Sequence, residues 1–247
     1  MDSVVDRYSK DIITVGQIVT EDPRKAEIFR KYDIDFCCGG KQPLAQACRE
    51  KGLDVTKVQE ELTSIDSSPA DRQQQYDQWQ VDFLADYIVN VHHSYLRENI
   101  PLILELSDKI GRVHGENHPE AIEIARLFAE AAVDLQQHLV KEEQELFPYI
   151  KKLQQAAQSG EDINKSPYAS ATEKLLTYEE EHEEVGGILK QIRLLSNNFK
   201  LPDDVCNTYR VTYAKLDEFE QDIHQHIHLE NNILFPGALD LERHSQS

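Results

Sequence analysis

Apolar residues recur along most of the chain at helical spacing, and strand-like alternation is scarce. Trp79, Phe83, Tyr87 and Val91 step by four, as do Leu127, Ala131, Leu135 and Leu139, the rows expected of amphipathic helices. The pattern predicts four long helices, at 76–110, 119–155, 169–199 and 203–235. Breaks rich in glycine, proline and asparagine separate them at 111–119, 158–167 and 197–202. Leu201-Pro202-Asp203-Asp204 has the form of a helix start, its acidic first turn complementing the helix dipole. Four such helices with short connections make an antiparallel bundle, so the fold class is all-α. Before residue 65 the helical stretches are shorter, at 15–19, 23–32, 44–52 and 55–62. They surround the loop Asp35-Phe36-Cys37-Cys38-Gly39-Gly40. Ser64-Ile65-Asp66-Ser67-Ser68-Pro69 suits a linker. The expected organisation is a small helical domain over 1–65, a linker over 66–75 and a bundle over 76–247.

Charge narrows the partners. The 247 residues carry 26 basic and 45 acidic groups, a net of −19, with −3 in the first 70 and −16 in the rest. Such a surface repels phosphates, so nucleic acid and anionic membranes are excluded as partners. No apolar run is long enough to span a membrane, and the first residues lack a secretory signal. Four cysteines, two of them adjacent, do not make a disulfide framework, and a reducing, cytoplasmic compartment is expected.

An internal repeat carries the chemistry. Residues 134–148 are DLQQHLVKEEQELFP and residues 222–236 are DIHQHIHLENNILFP; at an offset of 88, seven of the 15 positions are identical. His93 and His182 stand at nearly the same offset. Each half therefore offers a His from one helix and an Asp-x₃-His-x₃-Glu unit from the next. Residues four apart lie side by side one turn apart, so His138 pairs with Glu142 and His226 with Glu230. Imidazole and carboxylate donors aimed at a bundle interior suit iron or manganese. Asp134 and Asp222, one turn before each His, are placed to orient the imidazoles. A single His-x₃-Glu is usually a solvated ion pair; two copies in a shared frame favour the metal.

The remaining histidines divide. His224 and His228 match Gln136 and Val140 in the repeat and are taken as flanking. His92 and His93 diverge by about 100°, and spacing leaves the choice between them open. His114 has no counterpart in the second half and is as readily a loop residue as a ligand. His118 is a helix-start residue and His244 part of a polar tail. Gly39-Gly40 leaves the backbone beside Cys37 and Cys38 flexible, which suits exposed thiols, whereas Cys48 and Cys206 are expected in the core.

These residues resemble a known family. FRKYDIDFCCGGKQPLAQAC is similar to the small cysteine-containing domain of the RIC (repair of iron centres) proteins. RVHGENHP, HLVKEEQELFP, EEEHEE and HIHLENNILFP are similar to their hemerythrin-like domain. The resemblance implies a hemerythrin-like four-helix bundle with a carboxylate-bridged centre of two iron ions. The implied ligands are His93, His114, His138, His182 and His226, with Glu142 and Glu230 bridging, which selects His93 over His92. It implies the repair of iron–sulfur clusters damaged by nitric oxide or oxidants by iron donation, a nitric oxide reductase activity at the same centre, damaged iron–sulfur proteins as clients, and a homodimer. Cys37 and Cys38 would then handle thiol exchange, iron transfer or nitrosyl groups. Oxygen-carrying hemerythrins have an additional His pair and an Asp where this chain has Glu, which argues against a simple carrier. The alternatives are an oxygen or nitric oxide sensor or carrier without turnover, and a metal-free helical interaction module.

Overall fold

The computed structural model describes residues 13–66, 75–160 and 171–245. By contacts, Met1–Gln80 with Ile227–Gly237 form one compact unit, and Val81–His226 with Ala238–Ser247 the other. The expected linker falls largely on 67–74, outside the described residues. No helix among those described is long and apolar enough to cross a membrane.

In the first unit, helix α1 (Val15–Glu21) starts at a capping box in which the Thr14 hydroxyl accepts from the Gln17 amide and the Gln17 side chain accepts from the Thr14 amide. A 3₁₀ turn, Pro23–Lys25, leads into α2 (Ala26–Lys31). A second 3₁₀ turn, Cys38–Lys41, precedes α3 (Leu44–Glu50) and α4 (Val55–Asp66). Phe29, Ile34, Phe36, Leu44, Cys48, Val58 and Leu62 are buried here. The 227–237 segment packs on this unit by close approach. Asn232 Nδ2 donates to the Cys37 carbonyl at 3.0 Å. A Cβ at Gly16 or Gly40 would collide with the Asn232 carboxamide. Gly40 is therefore required by proximity and is buried; the flexibility expected of Gly39-Gly40 is not the reason for the pair.

From Val81 onward the described residues form long helical rods, three of them interrupted by a π turn, and the last rod includes the 227–237 segment of the first unit. The first rod is α5 (Val81–Ile88), the π turn Val89–His93 and α6 (Ser94–His114). The second is α7 (Pro119–Lys141), the π turn Glu142–Leu146 and α8 (Phe147–Ser159). The third is α9 (Ala171–Leu195). The last is α10 (Asn207–Leu229), the π turn Glu230–Leu234 and α11 (Phe235–Ser245). Helix α6 packs on α7 and α7 on α9. Phe219 brings α10 to both Phe128 and Tyr95, with ring centroids at 5.2 and 6.4 Å, and Arg193 of α9 binds Glu220.

Two π turns have a cause in the repeat. Pro148 and Pro236 each lack an amide, and a proline ring clashes with the carbonyl four residues back. Those carbonyls belong to Gln144 and Asn232, inside the π turns, so the Leu-Phe-Pro ending of both copies widens the helix just after the His and Glu. In the first rod the Ser94 hydroxyl donates to the Val89 carbonyl at 3.2 Å.

Several helix limits differ from expectation. The first rod begins at Val81, because Tyr76–Gln78 is a 3₁₀ turn and Trp79 is extended. Its buried face is Val81, Leu84, Ala85 and Ile88, while Phe83 and Val91 are exposed; the step-of-four row through Trp79 is not the core face. The row Leu127, Ala131, Leu135, Leu139 is buried throughout. Leu201–Asp204 does not start a helix: Asp203 and Asp204 form a turn and α10 begins at Asn207. Helix α11 runs through His244, where a tail was expected.

Candidate metal centre

The rods carry six buried side chains to one place. His93 leaves the first π turn, His138 and Glu142 come from the second rod, His182 from α9, and His226 and Glu230 from the last rod; all are at most 4% exposed. Their ligand atoms form two groups. In His93, Glu142, His226 and Glu230, one atom from each residue lies within 4.8 Å of the others. The same holds for His138, Glu142, His182 and Glu230. Both carboxylates are thus shared, and each group has its own pair of imidazoles.

Glu142 sits between the pairs. Its Oε1 is 3.0 Å from His138 Nε2 and 4.0 Å from His182 Nε2. Its Oε2 is 3.3 Å from His93 Nε2 and 4.0 Å from His226 Nε2. Burial pushes this carboxyl up, and the imidazoles of His138, His93 and His226 outweigh it, holding it well below the usual carboxylate range.

Two imidazoles are anchored from outside. His93 Nδ1 donates to Glu143 Oε1 at 2.7 Å, and the same oxygen accepts from Arg97 Nη2 at 2.6 Å. His138 Nδ1 donates to Glu181 Oε2 at 2.7 Å, with Lys141 Nζ on Glu181 Oε1 at 2.5 Å. Burial opposes the ionised form of both outer carboxylates, but the imidazole and the cation beside each keep its carboxyl below the ordinary value. With Nδ1 donating outward, Nε2 keeps its lone pair pointing inward, as a metal ligand requires.

The donor set fits a cation on the geometry itself. Both Glu142 oxygens are sealed from solvent, and neither accepts a well-aligned hydrogen bond. His138 Nε2 and His182 Nε2 face each other at 2.9 Å, with His138 Nδ1 already given to Glu181. A sealed, poorly satisfied carboxylate costs roughly several kcal/mol; a cation among the converging lone pairs removes that cost. Nitrogen and oxygen donors in this ratio suit iron or manganese.

Spacing left His92 and His93 open, and the structure separates them. Both are buried, but His92 Nδ1 meets Asp222 Oδ1 at 3.0 Å, and its ring lies parallel to that of His226, centroids 5.8 Å apart. Asp222 therefore supports His92, whereas Asp134 is exposed; neither aspartate orients the imidazole expected of it. Glu181 holds His138 in place of Asp134, and Glu143 holds His93. Their signal was adjacency, since each stands beside a cluster residue, Glu142 or His182.

His114 is not brought to the cluster. It ends α6, while His93 immediately precedes that helix, and 21 residues at about 1.5 Å each span roughly 30 Å. Its Nε2 lies 3.1 Å from Cys206 Sγ. Cys206 is exposed, because it precedes α10 rather than lying inside it; Cys48 is buried as expected. His228 is buried in the first unit, where Thr20 and the Phe36 carbonyl meet its ring nitrogens at 3.3 and 3.4 Å.

The vicinal thiols are less open than expected. Cys37 is buried and donates to Asp35 Oδ1 at 3.2 Å, while Cys38 is half-buried. The hydrogen bond the thiol makes to Cys38, then burial and the Asp35 charge, push Cys37 far up. Asp35, Cys37 and Cys38 also hold one ligand atom each within 4.8 Å of one another.

The chain matches known proteins in both parts. Residues 13–66 match ScdA_N, described as a domain of unknown function, and residues 84–238 match the hemerythrin HHE cation binding domain. The iron-sulfur cluster repair protein YtfE of Yersinia pestis is 33% identical over 226 residues, covering 92% of this chain and 96% of that protein. A probable iron-sulfur cluster repair protein of Haemophilus influenzae is 34% identical over 229 residues, with the same shares covered. With a small helical domain, a hemerythrin-like bundle and this His/Glu cluster, the chain belongs to the family of iron–sulfur cluster repair proteins.

Proposed function

We propose that this chain holds two iron ions and uses them to repair iron–sulfur clusters damaged by nitric oxide or oxidants, donating iron and also reducing nitric oxide at the same centre. The observation that carries the reading is the pair of ligand groups sharing Glu142 and Glu230. Two shared carboxylates with an imidazole pair on either side are the arrangement a carboxylate-bridged dinuclear site needs. Bound there, two irons supply reversible one-electron redox changes and affinity for small diatomic ligands.

The residues around the site divide the remaining work. Glu143 and Glu181 fix the imidazoles of His93 and His138, and Arg97 and Lys141 hold those carboxylates at the bundle surface. Phe147, stacked on His93 at 5.5 Å, and Tyr178, edge-on to His138 at 5.5 Å, shield the imidazoles from water. Donors of this hardness hold ferrous iron less tightly than thiolates do, which suits a protein that gives iron up. Cys38 is the vicinal thiol open to a partner, with Cys37 as its protonated neighbour. In this reading the protein works in the reducing cytoplasm as a homodimer and meets damaged iron–sulfur proteins as its clients.

The test adds the iron-loaded protein and a reductant to an iron–sulfur enzyme inactivated by nitric oxide. Recovery beyond that given by free ferrous iron, lost in Glu142→Ala, is expected. Recovery equal to free ferrous iron would overturn repair and leave a sensor or carrier. Unaltered repair by a Cys37→Ser/Cys38→Ser variant would remove the thiols from the mechanism.

A further inference from the structure

The far end of α6 gathers a second set of reactive side chains, all within the second unit. Cys206 immediately precedes α10, where serine or aspartate commonly caps a helix. Its sulfur accepts from the backbone amides of Tyr209 and Thr208. His114 Nε2 approaches the same sulfur at 3.1 Å, and the His114 ring stands edge-on to Tyr209, centroids 5.4 Å apart. Beside them His118 is held between Glu120 and Asp204, at 3.2 and 3.1 Å, with its ring 6.2 Å from that of His114. The groups that meet the thiol are thus the His114 imidazole, the Thr208 side chain and the amides of Thr208 and Tyr209, with His118, Glu120 and Asp204 behind His114.

Cys206 differs from the other cysteines in three respects. It is exposed, whereas Cys37 and Cys48 are buried and Cys38 is half-buried. The Tyr209 amide first, then His114, bring its thiol down to about 7, whereas burial raises Cys48 and the Cys38 contact raises Cys37. It is also the sole cysteine of its unit in the sequence, so no neighbouring thiol of that unit can close an internal disulfide with it.

We propose that Cys206 and His114 form a thiolate–imidazole pair that undergoes exchange with disulfides of low-molecular-weight thiols, taking up one thiol as a reversible mixed disulfide. The Cys206 sulfur attacks one sulfur of the disulfide. A new S–S bond forms and the old one breaks. The departing thiolate keeps the bonding pair and receives the proton held by His114. The disulfide is reduced to one free thiol while Cys206 is oxidised, and any external thiol reverses the exchange. His114 acts as a positioning residue and proton holder, roughly 30 Å along α6 from the His/Glu cluster.

The rate profile distinguishes this pair from an ordinary surface cysteine. At pH 7 about half of a thiol of this acidity is thiolate, against about 3% of an unperturbed one, roughly a fifteenfold gain. Lower intrinsic nucleophilicity takes back roughly fivefold, leaving about threefold. At pH 9.5 both thiols are ionised, and Cys206 should be about fivefold slower. The experiment follows glutathione disulfide with the full iron-loaded chain by mass spectrometry, using a free peptide of residues 201–211 as reference. The expected result is an adduct on Cys206, absent in Cys206→Ser. Its rate should exceed the peptide's at pH 7 and fall below it at pH 9.5, with His114→Gln moving both ratios toward one. Equal rates for chain and peptide at both pH values, an adduct at Cys38 in place of Cys206, or ratios untouched by His114→Gln would overturn the proposal.

Discussion

Helix α6 has a histidine beside each end, and the two do different chemistry because their surroundings differ. His93 is wholly buried, gives Nδ1 to Glu143 and turns Nε2 toward Glu142, where five other cluster residues converge. His114 is half-buried, points Nε2 at a thiol, and has the ion-paired His118 as its neighbour. An imidazole becomes a metal ligand when its second nitrogen is spent on an outer carboxylate and its first faces other donors in a sealed space. The same ring at an open helix end serves a cysteine instead.

The contrast can be broken most strongly at its centre. Replacing Glu142 by Ala removes the carboxylate that both imidazole pairs share, and iron affinity should fall by more than about 100-fold in a chelator competition. A smaller loss is expected from the outer carboxylates: Glu181→Ala or Glu143→Ala should weaken iron binding by about 10–100-fold. Asp204→Ala, which deprives His118 at the other end of its partner, should leave iron binding unchanged. Gly40→Ala sharpens the account in the first unit, where the added methyl meets Asn232. Denaturant unfolding should show a loss of about 1–3 kcal/mol. The smallest effect belongs to the open end, where His118→Ala breaks only partly exposed ion pairs and should cost less than about 1 kcal/mol in the same assay.

Much of this contrast was legible in the sequence, and its failures have physical reasons. The duplicated His-x₃-Glu frame located His138, Glu142, His226 and Glu230, because four-residue spacing survives any detail of packing. It also located Leu-Phe-Pro, although the π turns that the prolines force became clear only with the helices in place. His114, open between loop and ligand on spacing and a ligand by the resemblance, stands apart from the cluster because the 21 residues of α6 separate it from His93. The outer carboxylates were missed because Asp134 and Asp222 stood at the expected i−4 positions, whereas the real partners sit beside cluster residues and reach across between helices. The Trp79 row failed because the π turn at Val89–His93 and the extended Trp79 shift the buried face away from a simple step of four. The sequence pattern puts Cys206 inside a helix starting at 203, four residues before α10 begins, and so in the core.

The most direct test of the account is the iron content of anaerobically reconstituted protein, measured side by side for the native chain, Glu142→Ala and His114→Gln. Two irons per chain are expected in the native protein, the same in His114→Gln, and less than half of that in Glu142→Ala. Fewer than one iron per chain in the native protein with no change in Glu142→Ala, or an iron lost in His114→Gln, would contradict it.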